Sequence, residues 1–409
     1  MLPCTLKHNE QACNPKQTFV ELFRGRIRLP NTAAPVYLDC NATAPIEPSI
    51  QEAVMTFMRD EFGNAGSRTH EYGNRAKQAV QRARDQVAAS LGVARDEVIF
   101  TSGATESNNL AILGLAPHAE DEGKRHIITT SIEHKAVLEP IEALQARGFE
   151  ASFIPPEPGG YVDPDRIKRK LRKETVLVSV MHVNNETGVE QPLAGIAEAI
   201  ADHPAYLHVD AAQGFGKRNA PLRHERIDLI SVSAHKIYGP KGVGALIIRR
   251  RGNDRPPLQP LLYGGGQERG LRPGTIPVPL VVGLGLAAAL ATTHAEQRER
   301  ACARFRKTLL DALAPLSPLY NGDQTRVLPH VINLAIPGVD AEAFMLATKD
   351  LIALSNGSAC TSQSYQPSHV LRAMGLGPER IQASLRFSWH HMTPPVDWTA
   401  VVTAIEQVR

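Results

Sequence analysis

Short, nearly continuous apolar runs alternate along this chain with longer stretches in which apolar positions recur at helical spacing. The runs at 35–39, 97–102, 126–130, 151–154, 175–181, 205–209, 229–233 and 244–248 predict strands, most of them buried on both faces. Helices are predicted between most of them, at 76–91, 135–147, 164–173 and 193–203. Repeated strand–helix units of this kind imply an α/β protein with a mostly parallel sheet covered on both faces. Ligands in such sheets collect at the C-terminal ends of the strands. After Arg272-Pro-Gly-Thr275 the pattern changes to long helices, 277–305 and onwards to 314, then to shorter mixed segments up to Arg409. This predicts a second, smaller domain. The first 35 residues mix charges, Asn, Gln and Pro and are expected to be an appendage.

Composition narrows the class. At 409 residues, two domains or one large one with an appendage are expected. The net charge of +3 is too small for a strong electrostatic claim on nucleic acid. The apolar stretch 278–291 is Gly/Ala-rich, carries Pro279 and falls short of the roughly 20 residues a membrane helix needs, so it predicts a buried helix. The start lacks the apolar core of a signal peptide, and a cytoplasmic location is expected. Five scattered cysteines, Cys4, Cys13, Cys40, Cys302 and Cys360, argue against a disulfide framework. Cys4, His8 and Cys13 lack a fourth ligand and a CxxC pair, so no metal site is expected there. Basic residues at 166–173 and 249–251 are read as solvated, with an acidic partner or DNA phosphates as the alternative.

Four places carry chemistry. Gly103-Ala-Thr-Glu-Ser-Asn-Asn-Leu110 opens a helix directly after a strand, where free N–H groups and Thr105 suit a phosphate, although Ser and Thr also cap helices for structural reasons. Asp210 ends a buried strand, and a protonated pyridine nitrogen would satisfy it. Lys236 ends another, where a partly desolvated amine makes a good Schiff-base former. Cys360 lies in a run of small polar residues around glycine that predicts a mobile loop, an unusual place for a structural thiol.

These residues sit in motifs that resemble, in order, those of the pyridoxal-phosphate (PLP) cysteine desulfurases of the iron-sulfur-cluster and nitrogen-fixation class. They include Tyr37-Leu-Asp-Cys-Asn-Ala-Thr43, Phe100-Thr-Ser-Gly-Ala-Thr-Glu-Ser107, Glu133-His-Lys-Ala-Val137, Met181-His-Val-Asn-Asn-Glu186, His208-Val-Asp-Ala-Ala-Gln213, Ser233-Ala-His-Lys-Ile-Tyr-Gly-Pro240, Arg272-Pro-Gly-Thr275, Ser355-Asn-Gly-Ser-Ala-Cys-Thr-Ser362 and Ser384-Leu-Arg-Phe-Ser388. The resemblance implies a fold-type I PLP-dependent transferase of the aminotransferase class V type, with a seven-stranded-type sheet and a smaller α+β domain. Its boundaries are expected at 1–35 for the extension, 47–292 for the large PLP-binding domain, and 36–46 plus 293–409 for the small domain carrying the cysteine loop.

By the same resemblance, Lys236 holds PLP as a Schiff base, Asp210 keeps its pyridine nitrogen protonated, and His134 stacks on the ring and moves protons. Gln213 and Asn185 bond the ring oxygen and the substrate side. Ala104, Thr105, Ser233 and His235 bind the phosphate, joined by Thr275 of the partner in an obligate homodimer. Arg386, with a structural salt bridge as the alternative, clamps the carboxylate of L-cysteine. Cys360 takes the sulfur as a persulfide for an acceptor protein, leaving alanine. The stretch 37–43 together with Gly63-Asn-Ala-Gly-Ser-Arg-Thr-His70 is most similar to desulfurases of DNA phosphorothioation, with direct DNA binding by the enzyme not expected. Iron-sulfur assembly, tRNA thiolation, a selenocysteine lyase-like enzyme and an inert scaffold are the competing readings. Two departures stand out: Ala44 replaces a frequent threonine, and Cys40 is an extra thiol, expected to be a small buried hydrophobe.

Overall fold

The computed structural model describes residues 34–356 and 367–409, so Cys4, His8, Cys13 and Cys360 lie outside the described residues. Contacts divide the chain into Met1–Pro35 and Val36–Arg409, and every element named below belongs to the second unit. Strand β1 (Val36–Tyr37) precedes helices α1 (Pro48–Arg59) and α2 (Glu71–Leu91). Then come β2 (Val98–Thr101), α3 (Ala104–Leu113), β3 (His126–Thr130), α4 (Lys135–Gln145), β4 (Glu150–Ile154), β5 (Thr175–Met181), β6 (Tyr206–Asp210), β7 (Leu229–Ser233) and β8 (Gly244–Ile248). Helices α5 (Val278–Thr293) and α6 (Ala295–Leu313) lead to β9 (Leu319–Tyr320), β10 (Val331–Ala335), β11 (Ile352–Ala353) and β12 (Ser384–Ser388).

A seven-stranded sheet runs β2-β8-β7-β6-β5-β3-β4. The strands from β7 to β4 pair in parallel, while β8 is antiparallel to both β7 and β2, so β2 points the same way as the parallel set. All residues of β2, β3, β5, β7 and β8 are buried, which is why these strands read as unbroken apolar runs. Alternate residues feed opposite faces. Val98, Phe100, Ile230 and Val232 pack with Val80, Val87, Val281 and Leu284 of α2 and α5, whereas Ile99, Ile127, Leu229 and Leu246 pack with Leu110, Ile141 and Leu144 of α3 and α4.

A separate core joins the antiparallel β9-β10-β12 sheet to α6 and the helix Trp398–Glu406, through Leu309, Leu334, Phe387 and Val401. β1 pairs in parallel with β11, and Asp39 bridges to Ser388 at the end of β12. The segment after β1 is thereby fixed against the C-terminal strand.

Two local expectations need revision, and a third holds in part. Helix α2 starts at Glu71 rather than 76, because the His70 ring accepts from Gly73 N at 3.2 Å and caps it. The helical stretch after 277 is bent by 76° at His294. There the composition switches from an apolar helix buried against the sheet to one bearing charges. Of the basic segments, Lys168, Arg169, Lys170, Arg172 and Lys173 are exposed, as expected of a solvated run, whereas Arg166 and residues 249–251 pair within the chain. Arg249 donates to the carbonyls of Leu222 and His224, Arg250 pairs with Asp96, Arg251 holds Asp228 at 2.6 Å and 2.8 Å, and Arg166 pairs with Glu157 at 2.6 Å. Among the described residues no single helix is long and apolar enough to cross a membrane.

At the start of β8, Gly244 lets two backbones meet. A Cβ there would sit 2.3 Å from the Val232 carbonyl oxygen and 2.6 Å from Gly103 Cα, both backbone atoms. Gly92, which ends α2 at φ 67°, has nothing within 4 Å of a Cβ. Gly244→Ala is therefore expected to cost about 3 kcal/mol through backbone displacement, and Gly92→Ala about 1 kcal/mol through the left-handed conformation alone. Urea unfolding of the purified variants measures both, and equal costs would refute the packing argument.

Candidate active site

The parallel strands deliver their C-terminal ends to one cavity of about 420 Å³. Lys236 follows β7 in a single turn of 3-10 helix, and its Nζ donates to the carbonyls of Asn41 at 2.5 Å and Ala42 at 2.7 Å. Asp210, the last residue of β6, is buried. Its carboxylate accepts from Asn108 Nδ2 at 2.7 Å and from the Ala212 N–H at 2.9 Å. Gln213, one turn on, donates through Nε2 to the same Asn41 carbonyl at 2.9 Å.

His134 caps α4, its Nδ1 accepting from Ala136 N at 3.0 Å. The neutral ring therefore carries its proton on Nε2. Burial holds its pKa below the usual imidazole value; Asp210 opposes this and Lys236 adds to it. The preceding Glu133 is fully buried, accepts from Thr130 Oγ1 at 2.7 Å and Met181 N at 2.8 Å, and is pushed up to about 8, mainly by burial. At neutral pH it is mostly protonated and does not repel Asp210.

Also on the cavity wall, Gly103 caps the ten-residue α3, and Ala104 and Thr105 open it. Ser233 and His235 stand beside this helix start, with Lys241 and Gly242 from the approach to β8. His235 Nδ1 lies 3.1 Å from Thr43 Oγ1, and burial, then Lys236, hold its pKa down at about 4. The third side is Arg386 of β12, whose Nη1 donates to the Asn185 carbonyl at 3.1 Å and whose Nη2 meets Asp39 Oδ1 at 2.5 Å.

The cavity fits a phosphorylated pyridine aldehyde. Three buried acceptors on its wall, Asn41 Oδ1, Asn108 Oδ1 and Gln213 Oε1, have no hydrogen-bond partner. A helix start with adjoining hydroxyl groups, a buried carboxylate and an amine line the same cavity. The volume falls in the range of small-molecule sites.

Ala104, Thr105, His134, Asn185, Asp210, Gln213, Ser233, His235, Lys236 and Arg386 all line this cavity, as their sequence motifs led one to expect. Thr275 is exposed and lines no part of it, and Cys360 belongs to the residues not described. Cys40 is buried away from it, its thiol pushed up to about 12 by burial with Lys217 pulling the other way, which matches the expected small buried hydrophobe. Sequence reasoning missed Asn41, Asn108 and Asp39. Asn41 and Asn108 sit inside quoted motifs, but the partner that gives Asn108 its meaning lies 102 positions away.

A model of the aminotransferase class-V family matches residues 36–397. The cysteine desulfurase IscS of Vibrio cholerae serotype O1 is 44% identical over 378 residues, covering 92% of this chain and 92% of that protein. Among solved structures, DndA from Streptomyces lividans is 52% identical with a TM-score of 0.76, covering 85% of this chain and 98% of that one. A structure of SspA in complex with cysteine is 36% identical with a TM-score of 0.76, covering 86% of this chain and 98% of that one. The order of motifs, the sheet and the cavity agree with these matches, and the chain belongs to the aminotransferase class-V family, within it to the cysteine desulfurases.

Proposed function

We propose that this chain removes sulfur from L-cysteine, leaving L-alanine and a persulfide on Cys360 that passes to an acceptor protein. The observation that carries the reading is the placement of Lys236, Asp210 and Arg386 around one cavity, in a chain 44% identical to a named cysteine desulfurase. Pyridoxal phosphate is the cofactor of this family; bound here, it supplies an electrophilic carbon for amines and a ring that delocalises the charge left when Cα loses its proton. Lys236 is the residue that would hold it, Asp210 would face the ring nitrogen, and Gln213 would offer its side-chain amide to the ring oxygen. Ala104, Thr105, Ser233 and His235 would receive the phosphate.

The protein's own groups divide the remaining work. Arg386 binds the α-carboxylate of cysteine, with Asn185 beside it on the substrate side. Lys236 Nζ takes the proton from Cα, and His134 Nε2, protonated in the neutral ring, covers the cofactor face and moves protons. Cys360, as thiolate, attacks the substrate sulfur. The new S–S bond forms as the Cβ–S bond breaks, and Cβ gains a proton to become the methyl group of alanine.

Thr275 is exposed on its own chain, and so are the apolar side chains of Leu261, Leu262 and Tyr263. This supports a homodimer in which Thr275 reaches the partner's cofactor phosphate. The unit divides functionally into 47–292, which holds the cofactor, and 36–46 plus 293–409, which carries Arg386 and Cys360. The cytoplasm suits a free, reactive thiol of this kind. For the destination of the sulfur, the 52% identity with DndA favours DNA phosphorothioation, with iron-sulfur assembly or tRNA thiolation as the rival. The internal pairing of Arg249, Arg250 and Arg251 supports transfer to a protein rather than DNA binding by the enzyme.

Intact mass after incubation with L-cysteine is expected to show a gain of one sulfur atom in the wild type and none in Cys360→Ala, with alanine formed only by the former. Alanine from both proteins would instead mean direct sulfide release. Since His134 remains neutral to a lower pH than an ordinary imidazole, the limb of kcat/KM that it contributes, identified as the one lost in His134→Gln, is expected below about pH 6.5, and its appearance above that value would contradict the role of a neutral ring. In fluorescence anisotropy the enzyme is expected to retain no duplex DNA at about 0.15 M salt, and tight, salt-sensitive binding would overturn the protein-acceptor reading.

A further inference from the structure

The guanidinium of Arg386 is almost completely buried, 3% exposed, and its donors are not equally engaged. Nη1 goes to the Asn185 carbonyl and Nη2 to Asp39 Oδ1, while Nε has no partner at all. Arg386 lines the cavity and Asp39 does not. An arginine side chain has several rotatable bonds, and in a pocket this size an untethered fork would sample orientations that present no edge to a ligand. A buried donor without an acceptor is costly, so a guanidinium that lines the cavity with only its two Nη atoms engaged keeps hydrogen-bonding capacity for a further acceptor such as a ligand carboxylate.

Asp39 is itself firmly placed. It bridges to Ser388 on the strand that carries Arg386, its carbonyl accepts from Tyr37 Oη at 3.0 Å, and its neighbour Cys40 donates through N to the Ser388 carbonyl at 3.0 Å. The other acid near the guanidinium, Glu186, is pushed up to about 7 by burial and is bonded to Ser368 Oγ at 2.5 Å rather than to Arg386. Asp39 is therefore the carboxylate in direct contact with Arg386 among the described residues.

We infer that Asp39 is a positioning residue for substrate selection: it tethers one Nη of Arg386, so that the guanidinium stays at the cavity wall and selects amines that carry an α-carboxylate. This rests on the desulfurase reading above, in which Arg386 meets the carboxylate of cysteine. The tether leaves no mark on a ligand without that group. Asp39 acts at the binding of substrate and not at Cα or sulfur, so its loss raises KM and spares kcat. A hydrogen bond to a charged group is at stake, and the expected change in KM is about tenfold.

The experiment compares wild type, Asp39→Ala and Asp39→Asn as holoenzymes, measuring alanine formation from L-cysteine, spectral titration with cysteamine, which lacks the carboxylate, and thermal melting. Asp39→Ala is expected to raise KM for L-cysteine about tenfold with kcat within about twofold of wild type and cysteamine affinity unchanged, while the melting temperature falls because a buried charge loses its partner. Asp39→Asn keeps an acceptor for Nη2 and is expected to restore KM to within about threefold of wild type. An unchanged KM in Asp39→Ala overturns the inference. So does an equal loss of cysteamine affinity, a kcat that falls along with the melting temperature, or an Asn variant as impaired as Ala. Should the wild type itself form no alanine, the desulfurase reading fails and not the role of Asp39.

Discussion

The carbonyls of Asn41 and Ala42, presented side by side, hold the amine of Lys236, and the first of them also holds the amide of Gln213. Around that point the short segment 39–43 touches the site from every direction. Asp39 meets Arg386, Asn41 Nδ2 reaches the Asn185 carbonyl at 3.0 Å, and Thr43 lies against the His235 ring. The parallel sheet brings its own polar groups to one edge but leaves that edge open. The segment after β1 closes it with backbone acceptors that cannot rotate away. Its position is fixed in turn by pairing with β11 and β12, so the polar wall depends on how the C-terminal core packs.

Burial sets the charge state around the cavity more than any single neighbour does. It raises Glu133 to about 8 and Glu186 to about 7, and lowers His208 and His235 to about 4. Lys217, whose amine lies 3.0 Å from His330 Nε2 and has no carboxylate among its electrostatic neighbours, falls to about 8. In a medium of low effective dielectric, each shift runs toward the neutral form, which avoids the cost of unpaired charge. The polar groups in direct contact with Asp210 are then amides, from Asn108 and from the Ala212 backbone, which orient its oxygens without cancelling its charge.

Much of this architecture is legible in the sequence because each central strand is buried on both faces and leaves an apolar run bounded by polar residues. Strand β4 is the instructive contrast: at the sheet edge, with Glu150 and Phe153 exposed, its start is blurred by a charge. The site residues that stand at strand ends, Asp210 and Lys236, are legible too, since a charged side chain closing an apolar run has few structural uses. What stays hidden is whatever depends on long-range pairing. Nothing in residues 249–251 says that Arg249 will be enclosed by carbonyls of Leu222 and His224, and nothing near residue 294 says that an apolar helix must turn away from the sheet there. Asn108 looks like an ordinary helix residue until β6 is beside it.

The pairs that complete the site span most of the chain: 195 positions separate Lys236 from Asn41, and 347 separate Arg386 from Asp39. Synthesis on the ribosome proceeds from the N-terminus, so the sheet with its lysine and aspartate is available well before β12 emerges. A nascent chain that has folded as far as β8 already carries Asp210 and Lys236, but Arg386 does not exist yet. The polar wall of the cavity is thus completed only when β12 is made and docked, and a chain that stops short of it leaves that edge of the sheet open to solvent.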